Sequence, residues 1–383
     1  MINMTRSKHI CICGGGSLGH VLAGVLSHKG HIVSLLTNHP AKWQPEISIT
    51  DCNSKVIEGH IHALSDRAEE VISSAELVIL CVPGFLIEQT LVSIKNFLSP
   101  TAQVGSVVCS NGFFWMAKHI LGDNTSLFGF QRVPYICRVT EYGKSAAIKG
   151  YKSVLKLAGS PSGDSVEKLS SFFSEAFDAP IVTLNHYLEV TLTNSNPLLH
   201  PSRIYGMLSR EKTDSFDHEF LFYEEWDDFS SETLINCDAE LQRLLKRLPV
   251  NRQEIPSILD YYESTDAASL TRKIRSINAF KGIKMSMIQK EDGHYYIDYT
   301  NRYFTEDIPY GLLIVKSIAK LIHQDTPCID AVLQWMQTKM GKQYLNGSSL
   351  EGKDLPKTGI VQNFGISTPE QLCTSLHVVR LKF

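Results

Sequence analysis

Short apolar runs alternate with amphipathic stretches through the first half of the chain. The runs fall at His9–Cys13, His31–Leu36, Leu77–Val82, Val104–Cys109 and Ser126–Phe130. Between several of them lie stretches with helical spacing of apolar residues, such as Leu18–His28 and Leu86–Phe97. Continuous apolar strands separated by helices are the pattern of a parallel sheet covered on both faces. A further pair of runs, Ser153–Leu157 and Ala179–Thr183, flanks a helical stretch from Ser165 to Phe177 and extends the sheet to about residue 185.

After Tyr187 the pattern changes. Apolar residues in Ser231–Lys246, Ser269–Phe280, Tyr310–His323 and Cys328–Met340 recur at a period nearer to about 3.6 than to 2, which predicts helices. A chain of 383 residues suits two domains, because a single core stops growing well before this length.

The loop Gly14-Gly15-Gly16-Ser17-Leu18-Gly19 follows the first apolar run directly and matches GxGxxG. In a dinucleotide site Gly14 would permit the tight turn, Gly16 would let the backbone approach a pyrophosphate, and Gly19 would allow close helix–strand packing. The helix starting here, with Ser17 and Leu18 in its first turn, offers free N–H groups and a positive dipole end to the phosphates. A plain glycine turn is the bland alternative. Placement favours the dinucleotide, because Gly30-His31-Ile32-Val33 opens a second strand at the proper distance. The predicted fold class is therefore α/β: an N-terminal Rossmann-type parallel-sheet domain over residues 1–186, then a mostly α-helical domain over residues 187–383.

An NAD enzyme usually places Asp or Glu at the end of the second strand, on the ribose 2′-hydroxyl. Here that position falls at Thr37-Asn38, with His39 and Lys42 following. The missing acid favours NADP(H), with NAD(H) as the alternative; for Lys42 alone, a solvated surface role is the competing reading. Val82-Pro83-Gly84-Phe85 and Ser110-Asn111-Gly112 follow the third and fourth runs at the sheet's carboxyl edge, where ligands bind in such folds. Val82 and Pro83 are assigned to the cofactor, against the alternative of ordinary turn chemistry.

A formal net charge of −3 gives no basic footprint for nucleic acid. No apolar run approaches the roughly 20 residues that cross a bilayer. Nine cysteines without a CxxC pair, two of them (Cys11 and Cys13) in a buried-strand run, fit a reducing compartment. The glycine loop comes too early for a signal peptide to precede it. A cytoplasmic protein is expected, contacting neither membrane nor nucleic acid. His60 and His62 would share a strand face, but no third ligand is near, so no metal site is expected. The aromatic run Phe113-Phe114-Trp115 reads as core. The acidic stretch Tyr223-Glu224-Glu225-Trp226-Asp227-Asp228 reads as a solvated face, with selection of a cationic amine as the minority view.

Two stretches of the second half concentrate polar groups beside apolar ones. In Asn194-Ser195-Asn196-Pro197-Leu198-Leu199-His200-Pro201, Asn196 and His200 would share one face of a helix started by Pro197. Asn301-Arg302-Tyr303-Phe304-Thr305-Glu306-Asp307-Ile308-Pro309-Tyr310-Gly311 brings a cation and two carboxylates before a Pro-initiated helix. A carbonyl reductase needs a proton donor, which a histidine with an orienting carboxylate supplies near neutral pH. An arginine fork clamps a keto acid's carboxylate. A packed or capping His200 and a structural Arg302–Asp307 ion pair are the alternatives.

The N-x-N-P-x-x-H-P and R-Y-x-x-E-D-I-P-Y-G runs resemble the signatures of the octopine/nopaline (opine) dehydrogenase family. Asp325-Thr326-Pro327-Cys328-Ile329-Asp330-Ala331 is similar to that family's T-P-x-x-D-A run, and Val133–Arg138 with Glu141–Lys144 adds a match in the first half. The resemblance implies NAD(P)H-dependent reductive condensation of an α-keto acid with the amino group of an amino acid, giving a secondary-amine dicarboxylate. It also implies an acid–base pair at His200 and Asp307, carboxylate binding by Arg302, and substrate contact by Asn196. Glu306 would face elsewhere. A homodimer through the helical domain is a hypothesis. A simple ketone reductase of related two-domain fold is the competing enzyme, although the lysine such families use has no counterpart within Asn196–His200. A non-catalytic NADP(H) sensor is the competing reading from another class.

Overall fold

The computed structural model describes residues 6–160, 164–193 and 196–374. Asn194 and Ser195, which open the first polar run of the second half, lie outside them. Two compact units are present, the first reaching Thr191 and taking in Cys373, the second running Leu192–Leu372.

In the first unit the strands are β1 (His9–Cys13), β2 (Ile32–Leu36), β3 (Glu46–Thr50), β4 (Val56–His60), β5 (Ala63–Ser65), β6 (Leu77–Leu80), β7 (Gln103–Ser106), β8 (Ser126–Phe130), β9 (Tyr135–Glu141), β10 (Ser145–Tyr151), β11 (Leu155–Ser160) and β12 (Ile181–Thr183). The helices are α1 (Ser17–His28), α2 (Ala68–Val71), α3 (Gly84–Ile94), α4 (Phe113–Leu121), α5 (Asp164–Phe177) and α6 (Leu188–Thr191). The large sheet has the order β12-β11-β8-β7-β6-β1-β2-β5. Its six strands from β8 to β5 are parallel, as the buried apolar runs predict: Cys11 of β1 stands opposite Ser34 on one side and Val78 on the other.

Two features depart from the expected sheet. β11 and β12 do extend it, but β11 runs antiparallel to β8, so this edge reverses the strand direction. A second sheet, β4-β3-β10-β9, has no counterpart in the predicted elements. It packs on α1, which thus lies between two sheets, and that explains why Val21, Leu22, Ala23, Val25 and Leu26 are all buried. His60 belongs to this second sheet, where its exposed ring pairs with Glu46 at 2.6 Å. No group of three metal-binding side chains occurs among the described residues, nor any helix long and apolar enough to cross a membrane.

The second unit is built from α7 (Asn196–Leu208), α8 (Asp228–Leu245), α9 (Ile258–Tyr261), α10 (Ala267–Ser276), α11 (Arg302–Thr305), α12 (Leu313–Leu321) and α13 (Pro327–Lys339). Leu234, Cys237, Leu241 and Leu244 form the buried stripe of α8, which packs against α7, α10 and α13. Two predicted helices are interrupted. Ser269–Phe280 divides into α10 and a short 3-10 turn at Asn278–Phe280. Tyr310–His323 opens as a π-helical turn, Ile308–Leu312, before α12 continues it to Leu321.

The T-P-x-x-D-A run has a structural job. The Thr326 hydroxyl donates to the Asp330 carboxylate, and Lys316 Nζ reaches the two carboxylate oxygens of Asp330 at 2.6 and 2.8 Å. Both charges are buried, so each needs the other. The start of α13 is fixed by Glu240, which accepts from the Cys328 and Ile329 amides at 2.8 and 3.0 Å.

Candidate active site

The glycine loop joins β1 to α1 in the first unit. Gly14 has φ +119°, and a Cβ there would stand 2.6 Å from the Cys81 carbonyl oxygen. A Cβ on Gly19 would fall 1.9 Å from the Gly14 carbonyl oxygen, so only glycine lets the first helical turn close on the loop. On Gly16 a Cβ would meet nothing, which leaves this backbone open to a ligand. The Ser17 hydroxyl accepts the Val139 amide at 3.2 Å, tying the helix start to β9.

His20 holds this loop from beneath. Its ring is fully buried and packs against Trp43 at a tilt of 34°, with centroids 3.9 Å apart. Nδ1 donates to the Gly16 carbonyl at 2.9 Å, and Nε2 accepts the Gly143 amide at 2.8 Å. That assignment requires a neutral ring, and burial lowers the His20 pKa accordingly, with the Gly16 bond opposing. The Glu141–Lys144 match of the first half is therefore the turn that buttresses the glycine loop.

Beyond β2, Thr37 is buried with its hydroxyl against Gly15, while Asn38, His39 and Lys42 are exposed. Val82 and Pro83 follow β6 and lead into α3, both partly exposed. Asn111, past the end of β7, is buried with neither amide atom hydrogen-bonded. A glycine-lined backbone left open and an orphaned amide past the sheet's carboxyl edge both suit a dinucleotide.

In the second unit the structure brings two residues together that lie 107 positions apart. His200 Nδ1 stands 2.7 Å from Asp307 Oδ2, and the side chains are 5% and 7% exposed. Asn196 is the first residue of α7, and on this helix it precedes His200 by four positions. Asp307 is delivered by the π-helical turn, which closes with the Leu312 amide on the Asp307 carbonyl at 2.8 Å. Gly311 lets that turn approach α7, since a Cβ there would lie 2.9 Å from Pro197 Cβ. Arg302 opens α11, capped by the Asn301 side chain; it is 63% exposed and only 3.9 Å from Glu306. Glu306 thus turns toward Arg302 and leaves Asp307 alone on the histidine.

Sequence reasoning missed Tyr223. Its hydroxyl lies 3.0 Å from His200 Nε2, so the imidazole is held from both sides. Burial pushes the phenol well above its ordinary pKa, so it stays protonated and can donate to Nε2 when the imidazole is neutral. The segment around it is not a solvated face. Phe222 and Trp226 are fully buried, Asp227 caps α8, and the Glu225 carboxylate accepts the Leu221 amide at 2.8 Å. Buried Arg203 fastens this loop by donating to the Phe222 and Glu225 carbonyls and the Ser230 hydroxyl. The available signal was three aromatics, Phe222, Tyr223 and Trp226, set among acids that alone would favour water.

The first unit defines a dinucleotide-binding domain and the second a helical domain carrying a buried histidine–carboxylate pair, the two parts of an NAD(P)-dependent oxidoreductase. Residues 183–340 match the model of the NAD/NADP octopine/nopaline dehydrogenase α-helical domain, and residues 9–124 match that of the NAD-dependent glycerol-3-phosphate dehydrogenase N-terminus. The opine dehydrogenase of Haliotis discus hannai is 26% identical over 405 residues, covering 96% of this chain and 99% of its own. The structure of octopine dehydrogenase with NADH and L-arginine aligns with a TM-score of 0.85 at 26% identity, and that with NADH and pyruvate with 0.86 at 25%; each alignment covers 96% of this chain and 98% of the other. The second half of the chain thus matches the helical domain of the octopine/nopaline dehydrogenases, and nearly the whole chain is similar to opine and octopine dehydrogenases.

Proposed function

We propose that this protein condenses an α-keto acid with the amino group of an amino acid and reduces the product to a secondary-amine dicarboxylate. The observation that carries the reading is the buried His200–Asp307 pair at 2.7 Å, in a chain whose relatives bind L-arginine or pyruvate beside NADH.

A nicotinamide cofactor, when bound, would supply the hydride that reduces the protonated imine. The protein's own residues do the rest. An amine attacks the keto carbon only when neutral, and His200 takes its surplus proton while Asp307 stabilises the resulting imidazolium. The same proton, returned to the carbinolamine hydroxyl, lets water leave. General acid–base help of this kind is worth about 10²–10⁴-fold. The exposed Arg302 guanidinium pairs with a substrate carboxylate, and Asn196, one helical turn before His200, contacts the substrate from the same helix. Positioning of this sort lowers a barrier by at most about 7–11 kcal/mol. NADPH is the preferred donor in this reading, because the segment after β2 offers Asn38, His39 and Lys42, and residues 37–42 hold no acid for a ribose 2′-hydroxyl.

The test is oxidation of NADPH and of NADH with pyruvate, with and without a pool of amino acids. Turnover dependent on the amine, faster with NADPH, is expected. Turnover with keto acid alone would make the protein a simple ketone reductase. Cofactor binding without turnover on any such mixture would favour the sensor.

A further inference from the structure

The hydrogen bonds of His200 leave its base function without a direct outlet. In the neutral ring that must act as base, Nδ1 donates to the Asp307 carboxylate, and Nε2, the nitrogen whose lone pair would accept a proton, then accepts from the Tyr223 hydroxyl. A substrate proton must either displace Tyr223 or pass through it.

Displacement is opposed by packing. Tyr223 is 6% exposed and stacks on Phe280 with centroids 4.1 Å apart at 16°, and on Trp226 at 3°. Arg203, itself 2% exposed, clamps the backbone on both sides of it through Phe222 and Glu225. On the other side the Tyr303 ring covers His200 at 4.4 Å, and Phe222 stacks on Tyr303 at 4.8 Å. Donation uses the phenol's O–H and leaves its oxygen lone pairs free, so it can accept while it donates.

We propose that Tyr223 is a catalytic residue that relays the proton between substrate and His200; this rests on the acid–base reading of His200 and Asp307. An N–H bond of the substrate ammonium breaks as an O–H bond forms at Tyr223 Oη. The original phenol O–H breaks as an N–H bond forms at His200 Nε2. The amine is left neutral and nucleophilic, Tyr223 is a neutral phenol before and after, and the positive charge rests on the imidazolium facing Asp307. Run in reverse, the relay delivers the proton to the carbinolamine hydroxyl, whose C–O bond breaks to release water and leave the protonated imine, which carries the positive charge.

The experiment compares the wild-type protein with Tyr223→Phe in keto acid plus amine, and takes a proton inventory of kcat/KM for the amine in mixtures of H2O and D2O. The wild type is expected to give a bowed inventory, from two protons in flight. Tyr223→Phe is expected to lose about 10²-fold in kcat with both KM values within about twofold, because the ring still fills its stack. Cofactor affinity and Tm should stay at wild-type values, which excludes misfolding as the cause. A linear wild-type inventory would overturn the relay whatever the variant does. Full activity in Tyr223→Phe, or a change confined to KM, would overturn it too. A wild type with no amine-dependent turnover would bring down the parent reading and the relay with it.

Discussion

Replacing Asp307 by Asn tests the acid–base pair with the smallest change of shape. In the proposed chemistry the carboxylate does two things for His200: it fixes the Nδ1–H tautomer and faces the imidazolium that would form when the proton arrives. An asparagine amide keeps the first only if its oxygen points at Nδ1; turned over, it donates to Nδ1 and reverses the ring's donor and acceptor. In either orientation the counter-charge is gone. The two side chains are almost wholly out of solvent, so little screening offsets the loss. With the charge centres about 4 Å apart and an effective dielectric near 20, the interaction is worth about 4 kcal/mol. At about 1.4 kcal/mol per decade this predicts a fall of about 10³-fold in kcat.

The assay is amine-dependent NAD(P)H oxidation under saturating substrates, with urea denaturation alongside. Folding stability should change by less than about 1.5 kcal/mol, since what is left behind is a neutral imidazole rather than a stranded charge. Glu306→Gln is the contrast: that carboxylate lies beside Arg302, so its loss should appear in KM more than in kcat. If Asp307→Asn kept kcat within threefold of wild type, the pair would be structural.

Two further outcomes concern stability. The His20 pKa is held below its usual 6.5 by burial, so the folded chain binds this proton less readily than the unfolded one. Its contribution is complete above pH 6.5 and drains away as pH falls from there through the folded value. The stability margin of wild type over His20→Gln, from urea curves at stepwise lower pH, should therefore narrow below about 6.5; a margin that widened would contradict the neutral-ring staple. In the helical unit, Asp330→Asn strands the buried Lys316 ammonium and should cost about 3–5 kcal/mol in urea denaturation. The double change Lys316→Met with Asp330→Leu should recover most of it, and equal losses in single and double variants would show that the charges are not coupled.

The legible parts of this fold are those where a run of residues is buried on every side. β1, β6 and β8 are near-continuous apolar runs, and the glycine loop follows the first at fixed spacing, so strand, turn and helix all point the same way. The second sheet escaped because its strands are half exposed. β4 buries only Gly59, and β9 buries only Tyr135 and Cys137, between exposed Ile136 and Arg138, so neither forms a continuous apolar run. β3 pairs in parallel with β10 almost a hundred residues later, which no local pattern records. The reversal at β11 was hidden for a related reason, since apolar content states that a strand is buried and is silent about its direction.

At the acid–base site the residue types were readable and their convergence was not. His200 and Asp307 were assigned roles through a resemblance, yet their meeting depends on a local irregularity. In the π-helical turn the Leu312 amide bonds to the carbonyl five residues back, which inserts one residue beyond the regular helical repeat. A regular α-turn here would shift the register by about 100° and carry Asp307 off the face that meets α7. Gly311 then permits the turn to close on Pro197, three residues before the histidine. The Pro-Tyr-Gly that follows Asp307 is therefore part of how the carboxylate reaches its partner. Tyr223 depends on a different device, a loop whose carbonyls are gathered by one buried guanidinium three residues beyond His200. Since α7 carries both His200 and Arg203, a single helix positions the imidazole and, through the loop, the phenol hydrogen-bonded to it.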